Sequence, residues 1–308
     1  MSLQELTFPL VPRRRLVGLA FGAMHSARRG MGSDVAGSRP YLPGDDVDTI
    51  DWAASARLSS ARGSDEFVVR ESYADEAPRV VLVCDRRPEM ALFPAELPWL
   101  HKADAMRAAA DIVAESTAKA RGFIGYIDHA TGADEPFWRP PHSHGEYWAI
   151  KERHLLWPDF NAPPDTIARA LDFLGGHRRS VPAGSFLFLL SDFLSPPPED
   201  AWTRALEQRW DVVPVVIQDP VWEQSFPAVD SVVVPLANAS GRVRPVRLRA
   251  AEADHRREEH ERRRERLVAD FRSLGIEPIL VSESDREHVF RAFLAWADER
   301  QFRRGLGW

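Results

Sequence analysis

The sequence lacks the features that would place it outside the cytoplasm or across a membrane. It has one cysteine, Cys84, so an intrachain disulfide is excluded, and we expect this residue to act as a small buried hydrophobe. No apolar run approaches the roughly 20 residues that a membrane-spanning helix needs. Residues 1–12 lack the basic stretch followed by an apolar run that marks a signal peptide. We therefore expect a soluble, cytoplasmic protein.

The sequence also lacks an excess of positive charge. Its 40 Lys and Arg residues are outnumbered by 46 Asp and Glu residues, which gives a net charge of −6. This balance argues against a general binder of nucleic acids or of anionic membranes. The 44% hydrophobic and 28% charged residues are ordinary for a globular protein, and 308 residues allow one large or two ordinary domains.

Common catalytic motifs are absent as well. There is no GxxxxGK[ST] phosphate loop, no GxGxxG after a predicted strand, no GxSxG elbow and no HExxH pair. His142 and His144 could bind a metal, but no cysteine or third histidine lies at ligand spacing, so a polar loop is the favoured interpretation.

Two apolar runs that end in aspartate are the most informative feature that is present. Residues 80–84 are continuously apolar and stop at Asp85, and residues 186–190 lead in the same way through a serine to Asp192. Such runs are typical of strands that are buried on both faces of a parallel sheet. Because ligands bind beside the carboxyl ends of such strands, we expect Asp85 and Asp192 to lie together at a crevice.

From residue 79 onward, predicted strands alternate with predicted helices. The strands are predicted at 80–84, 123–127, 186–192, 212–217 and 276–281, and helices at 101–121, 146–157, 163–174, 199–210, 251–274 and 284–300. This alternation predicts an α/β fold, a mostly parallel sheet with helices on both faces. Residues 231–249 predict a hairpin, placed at an edge because each strand contains a proline. The charged helix 251–274 is interpreted as a solvated face, with a partner helix as the alternative.

An acidic segment precedes the first of these strands. Asp45, Asp46, Asp48 and Asp51 lie within seven positions. Carboxylates so close together could bind a hard cation or transfer protons, although the spacing does not match an EF-hand loop. The favoured interpretation is that they cap a helix that starts near residue 50 and pair with Arg39 and Arg57.

This segment resembles the signature of the bacterial family called domain of unknown function 58. The matching residues are Arg39, Tyr41, Pro43, Gly44, Asp45, Asp46, Ile50, Asp51, Trp52, Ala56 and Arg57, and residues 191–193 and 218–220 resemble later landmarks of the family. The resemblance implies a small β-containing N-terminal appendage at 1–78. It further implies a von Willebrand factor A-like, Rossmann-type domain at 79–308, including the hairpin.

The resemblance also implies a degenerate metal-ion-dependent adhesion site. Such domains hold a divalent cation through an aspartate-x-serine-x-serine motif, a threonine and a second aspartate. Asp85 and Asp192 match the aspartates, and Thr166 is a plausible counterpart of the threonine.

Arg87 and Glu89 stand where the two serines should be. An arginine there would repel Mg²⁺ and could bridge Asp85, Glu89 and Asp192. We expect a metal-free crevice without a cofactor. The alternative is a Mg²⁺ ion held by the three carboxylates, with Arg87 turned outward.

For function, the resemblance implies a non-catalytic interaction or adaptor protein. Its expected partner is a MoxR-type AAA+ ATPase in a chaperone-like assembly role, and its expected recognition surface is the crevice around Asp85, Arg87 and Asp192, flanked by residues 39–57. We expect no nucleic-acid partner. One alternative is a divalent-metal-dependent hydrolase that uses Asp45 and Asp46 together with the two crevice aspartates. A weaker alternative is a structural subunit that docks a partner through helix 251–274.

Overall fold

The computed structural model describes most of the chain. The described residues are 6–13, 19–29, 35–42, 47–63, 66–91, 100–130, 134–141, 149–153, 159–237 and 243–305. Gly44, Asp45 and Asp46 of the predicted box, and both histidines of the 142–144 segment, lie outside the described residues.

The secondary structure follows the predicted alternation. The strands are β1 (Leu19–Arg29), β2 (Val35–Pro40), β3 (Val68–Ala77), β4 (Arg79–Cys84), β5 (Phe123–Asp128), β6 (Phe137–Arg139), β7 (Phe186–Ser191), β8 (Asp211–Ile217), β9 (Val232–Ala237), β10 (Val243–Leu248) and β11 (Ile279–Val281). The helices are α1 (Trp52–Arg62), α2 (Lys102–Lys119), α3 (Thr166–Gly175), α4 (Glu199–Glu207), α5 (Ala250–Ser273) and α6 (Arg286–Gly305), and residues 149–153 are helical as well.

Six strands form the central sheet, in the order β11-β8-β7-β4-β5-β6. All its pairings are parallel except that of β6 with β5. The predicted α/β architecture is therefore confirmed. No described helix combines the length and apolar character that crossing a bilayer would require.

The sheet is buried on both faces because successive side chains of each strand point in opposite directions. Val80, Leu82 and Phe188 pack on the side of α2 and α6. Val81 and Leu187 pack on the other side, against α3, α4 and α5. This two-sided burial explains why β4 and β7 are continuously apolar rather than alternating.

The first described segment, residues 6–13, packs on the central sheet rather than apart from it. Phe8 is buried with its ring 5.0 Å from that of Phe293 and 6.0 Å from that of Trp296. Its backbone N–H donates to Ser116 Oγ (3.1 Å), and Arg300 donates to the Val11 carbonyl (3.0 Å). The predicted appendage thus contributes its start to the core of the larger domain.

The rest of the N-terminal region forms a separate small sheet, in the order β1-β3-β2 with antiparallel pairing. Asp51 caps α1 as expected, since its carboxylate accepts from the Ala54 N–H at 3.0 Å. The hydroxyl of the buried Ser55 accepts from the Val68 N–H (2.9 Å), which fastens α1 to β3.

The predicted hairpin forms between β9 and β10, but its position differs from the expectation. It makes a two-stranded sheet of its own instead of lying at an edge of the central sheet. Its inner side packs on α5 through Leu248, which is buried with Phe226 and Ala253.

Candidate functional site at the carboxyl end of the sheet

Strand pairing brings Asp85 and Asp192 to the same end of the sheet. β4 and β7 are parallel neighbours with Cys84 opposite Leu190, so both chains leave the sheet at the same level. The Asp85 N–H still donates to the Leu190 carbonyl at 3.0 Å. The aspartates follow the strands directly and are both fully buried.

Arg87 lies between the two aspartates. Its Nε donates to both carboxylate oxygens of Asp85 (3.0 and 2.9 Å), and its Nη2 donates to Asp85 Oδ2 (2.6 Å) and Asp192 Oδ1 (2.9 Å). The turn after β4 favours this arrangement, because the Arg87 N–H donates to Asp85 Oδ1 (3.0 Å). Arg87 thus bridges the two strand ends, as its position in the sequence suggested.

Lys102 supplies a second cation that sequence reasoning missed. Its Nζ lies 2.8 Å from Asp192 Oδ2 and 2.7 Å from Glu223 Oε1. The other oxygen of Glu223 accepts from the Asp219 N–H (2.9 Å), and the Asp219 carboxylate accepts from the Leu100 N–H (2.9 Å). The start of α2 is thereby tied to the end of β8.

Ser191 completes what we call the ionic cluster. Its hydroxyl donates to Asp85 Oδ2 at 2.6 Å and accepts from the Phe193 N–H at 3.1 Å. The members of the ionic cluster are Asp85, Arg87, Lys102, Ser191, Asp192 and Glu223. Each of them is buried, with Glu223 the most exposed at 8%. The cluster therefore lies beneath the surface and not on it.

Opposite charges favour the ionised forms of Asp192 and Arg87 in spite of their burial. Burial disfavours the charge on Asp192, but Lys102 and Arg87 outweigh it and lower the pKa of the carboxyl. Burial likewise opposes the charge on Arg87, yet the hydrogen bonds and attraction of Asp85 raise its pKa. Burial raises the pKa of Glu223, because Lys102 is shared with Asp192 and offsets only part of the desolvation.

Two of the expected site residues do not join the ionic cluster. Among the described residues, Glu89 makes no hydrogen bond or ion pair with Arg87, and its buried Oε2 has no hydrogen-bond partner. Thr166 is buried at the start of α3, with its hydroxyl 3.3 Å from His129 Nδ1. The structure thus brings together Asp85, Arg87 and Asp192, and it places Thr166 against the end of β5.

The residues of the ionic cluster do not fit a divalent cation. Asp85 Oδ1 and Oδ2 accept from Arg87 and Ser191, Asp192 Oδ1 accepts from Arg87, and Asp192 Oδ2 accepts from Lys102. Both cationic groups lie within 3 Å of the oxygens that would bind the ion. Across the described ranges, no group of three or more His, Cys, Asp or Glu side chains could hold a metal.

A second buried cluster lies beside the first, at the end of β5. Arg153 donates to both Asp128 oxygens (3.1 and 2.7 Å), and the Tyr126 hydroxyl donates to Asp128 Oδ2 (2.7 Å). Arg86 donates to the Tyr126 hydroxyl (3.3 Å) and lies 3.8 Å from Asp128. Burial raises the pKa of nearby Cys84 to about 12, so the thiol stays protonated, consistent with the hydrophobic role expected of it.

The described residues of the box segment lie on the small N-terminal sheet and on α1. The Trp52 ring contacts the Phe67 ring edge to face, with the ring centroids 5.9 Å apart. The Tyr41 ring also lies edge to face with Phe67, at a centroid distance of 6.5 Å. Arg39 donates to the Pro40 carbonyl and Arg57 to the Ala53 carbonyl. Arg57 forms no ion pair with a described residue, and any of the expected pairings that involve Asp45 or Asp46 fall outside the described residues.

Comparison with known proteins finds mycobacterial relatives and a structural neighbour of low sequence identity. An uncharacterized protein of Mycobacterium bovis and one of Mycobacterium tuberculosis are each 27% identical over 91% of this chain and 84% of their own length. The crystal structure of the conserved hypothetical protein BatB from Bacteroides thetaiotaomicron aligns with 72% of this chain and 99% of its own, with a TM-score of 0.40 and 13% identity. That structural likeness is too distant to carry an argument.

The family assignment rests on the sequence. The family described as protein of unknown function DUF58 matches residues 37–266, a span that runs from the box segment through the ionic cluster into α5. Because this span covers well over half of the chain, the protein belongs to the DUF58 family.

Proposed function

We propose that this protein is a non-catalytic adaptor that binds a MoxR-type AAA+ ATPase in a chaperone-like assembly role. The observation that carries the proposal is the ionic cluster. The oxygens of Asp85 and Asp192 already accept hydrogen bonds from Arg87, Lys102 and Ser191. These carboxylates are thereby engaged in holding β4, β7 and α2 together, which favours a scaffolding role for them over a chemical one.

The alternative of a metal-dependent hydrolase requires carboxylate oxygens that can bind an ion and activate water. Here the positions beside those oxygens are taken by guanidinium and ammonium groups, which would have to leave first. Breaking a buried ion pair typically costs about 3–5 kcal/mol, so displacement would need a large compensating gain. This cost supports the adaptor over the hydrolase.

Because the ionic cluster is buried, such an adaptor would contact its partner through other residues. The sequence placed recognition on Asp85, Arg87 and Asp192 themselves, but these side chains are 0–3% exposed. We propose instead that the ionic cluster fixes the end of the sheet in one conformation, while exposed surface elsewhere on the protein meets the partner. The choice of partner rests on the family resemblance.

The test is a binding measurement with the purified MoxR-type ATPase of the same organism, by biolayer interferometry with and without ATP. We expect saturable binding by the full chain. Absence of binding under both conditions would contradict the adaptor role.

A calorimetric titration of the protein alone with Mg²⁺ and Mn²⁺ tests the hydrolase. We expect no binding heat from the wild type. Micromolar binding, together with phosphatase or peptidase turnover that Asp85→Ala abolishes, would favour the hydrolase instead.

A further inference from the structure

We infer that the outer face of α1, with the aromatic side chains beside it, is the docking surface for an amphipathic helix of the partner that carries a carboxylate opposite Arg57. We call this surface the α1 face. It consists of Trp52, Ala53, Ala56, Arg57, Ser60 and Ala61 on α1, of Phe67, whose ring contacts Trp52, and of the exposed Leu42 and Val47, which precede α1 in the chain. The inference rests on the proposed function and names the surface and the chemistry of the partner.

Exposed apolar side chains are concentrated in the part of the chain that includes α1. Of the ten large hydrophobic side chains that are exposed among the described residues, four lie between residues 42 and 67. Trp52 is 61% exposed, although its ring already packs on Phe67, which is itself 44% exposed. A tryptophan that remains this exposed next to other apolar groups marks an interaction surface, because single exposed residues are common but clusters are not.

Most of the other exposed side chains on this face of α1 are small. Positions 53, 56, 60 and 61 are exposed and carry only alanine or serine. Residues 52, 56 and 60 follow at helical spacing and so line one face, while Ser55 on the opposite side is buried against β3. Small side chains allow a second helix to approach closely and favour ridge-into-groove packing beside Trp52.

The α1 face also carries a positive charge, at Arg57. Arg57 is exposed and donates a hydrogen bond to the Ala53 carbonyl, and it forms no ion pair anywhere in the described part of the chain. Arg62, further along the same helix, does pair with Glu66 at 3.0 Å. A carboxylate of a partner would match this guanidinium by accepting a charge-assisted hydrogen bond from it.

The same charge argues against a second copy of this chain as the occupant. A two-fold axis through the α1 face would bring Arg57 of one copy close to Arg57 of the other, near the middle of the contact. Like charges in such proximity are unfavourable. The face therefore fits an acidic, apolar helix better than it fits itself.

The experiment compares binding of the full-length ATPase to wild type and variants, with their melting curves as a check on folding. We expect Trp52→Ala and Arg57→Glu each to weaken Kd about tenfold or more, because exposed aromatic and arginine anchors dominate many interfaces. Ala56→Trp should weaken binding as well, since it blocks close helix approach without disturbing the buried side of α1. Phe302→Ala and Arg204→Glu, at exposed positions on α6 and α4, are the matched controls and should leave Kd within about twofold.

The outcomes separate the inference from the function on which it rests. If the wild type does not bind the ATPase, both the proposed function and this docking surface are overturned. If the wild type binds and the three α1 variants bind equally well, only the docking surface is overturned. Light scattering that shows a wild-type dimer, dissolved by Trp52→Ala, would assign the face to a second copy and also overturn the inference.

Discussion

At the scale of single residues, the main feature is that two side chains provide the positive charge between two aspartates. Asp85 and Asp192 lie at adjacent strand ends and would repel each other if both stayed charged and unpaired. Arg87 contacts both carboxylates, and Lys102 contacts Asp192 from the other side. Because burying charges costs desolvation energy, such a cluster fixes geometry more than it adds net stability. Removing a single member of the cluster, however, destabilises the fold, because it leaves a buried charge without its partner.

Replacement of Arg87 by methionine tests this directly. We expect Arg87→Met to lower the free energy of unfolding by about 3–5 kcal/mol, because it leaves two buried carboxylates without their shared cation. Urea denaturation followed by circular dichroism measures the change. Arg204→Met, which removes an exposed arginine paired with Asp172 and Asp200, should cost no more than about 1 kcal/mol. Equal costs for both variants would show that Arg87 is not part of a tightly coupled buried network.

The ionic cluster also predicts a dependence on pH. The pKa of Asp192 is lowered in the folded state, because the attraction of Lys102 and Arg87 outweighs the effect of burial. The ionised carboxylate therefore stabilises the fold above the ordinary Asp pKa of about 4, and this stabilisation is lost as the pH falls through the pKa of the folded state. The stability gap between wild type and Asp192→Asn should therefore narrow between pH 7 and pH 3 in chemical denaturation. The trend expected for Glu223 is the opposite, because burial raises its pKa. As the pH falls, the free energy of unfolding of the wild type should rise relative to that of Glu223→Gln. Parallel trends for the two variants would contradict this assignment of charges.

Part of this cluster could be predicted from the sequence, and part could not. Asp85, Arg87 and Asp192 follow apolar strands, and strand ends of a parallel sheet meet at one edge. Lys102 is the first residue of α2. It lies one turn before Met106, on the buried face of the helix that continues through Ala109, Val113 and Thr117. A lysine in line with such a face is the signal that could have revealed it. Glu223 gave no comparable signal, because only the turn after β8 positions it.

At the scale of elements, the segment 6–13 shows how a short irregular stretch can belong to a core. It has no helical or strand period, since prolines at 9 and 12 interrupt it, so its sequence pattern does not predict a place in the core. In the structure, Phe8, Leu10 and Val11 are buried, and Arg300 ties the segment to Asp211 by donating to both. Three buried apolar side chains therefore anchor an irregular segment to the core of the larger domain.

Truncation of Phe8 measures how firmly this segment is held. We expect Phe8→Ala to reduce the free energy of unfolding by about 3–5 kcal/mol, because the ring packs among Phe188, Phe293 and Trp296 and its removal leaves a cavity. Denaturant unfolding provides the measurement. Phe302→Ala, at a ring that is 69% exposed, should change stability by no more than about 0.5 kcal/mol. If Phe8→Ala changed the free energy of unfolding as little as Phe302→Ala does, the segment would not be part of the cooperative core.

At the scale of the whole molecule, the central sheet was predictable and the attachments to it were less so. The alternation of buried strands and amphipathic helices fixes an α/β fold, because no other arrangement buries both faces of β4, β7 and β8. The prolines in β9 and β10 correctly excluded a central position, but they did not reveal that the pair forms its own sheet on α5. Which element covers a small hydrophobic cluster depends on tertiary packing, and local pattern does not encode it.

This difference between core and attachment predicts a gradient of hydrogen exchange. All six residues of β7 are buried, whereas β10 is buried only at Leu248, and Val233 and Val243 are 62% and 59% exposed. A two-stranded sheet with few buried contacts opens more easily than a strand in the middle of a six-stranded one. In native-state exchange followed by mass spectrometry, we expect amides of β9 and β10 to exchange well before those of β7 and β4. Equal protection of the hairpin and β7 would instead mean that hairpin, α5 and central sheet unfold as one cooperative unit, with the contacts of Leu248 strong enough to join them.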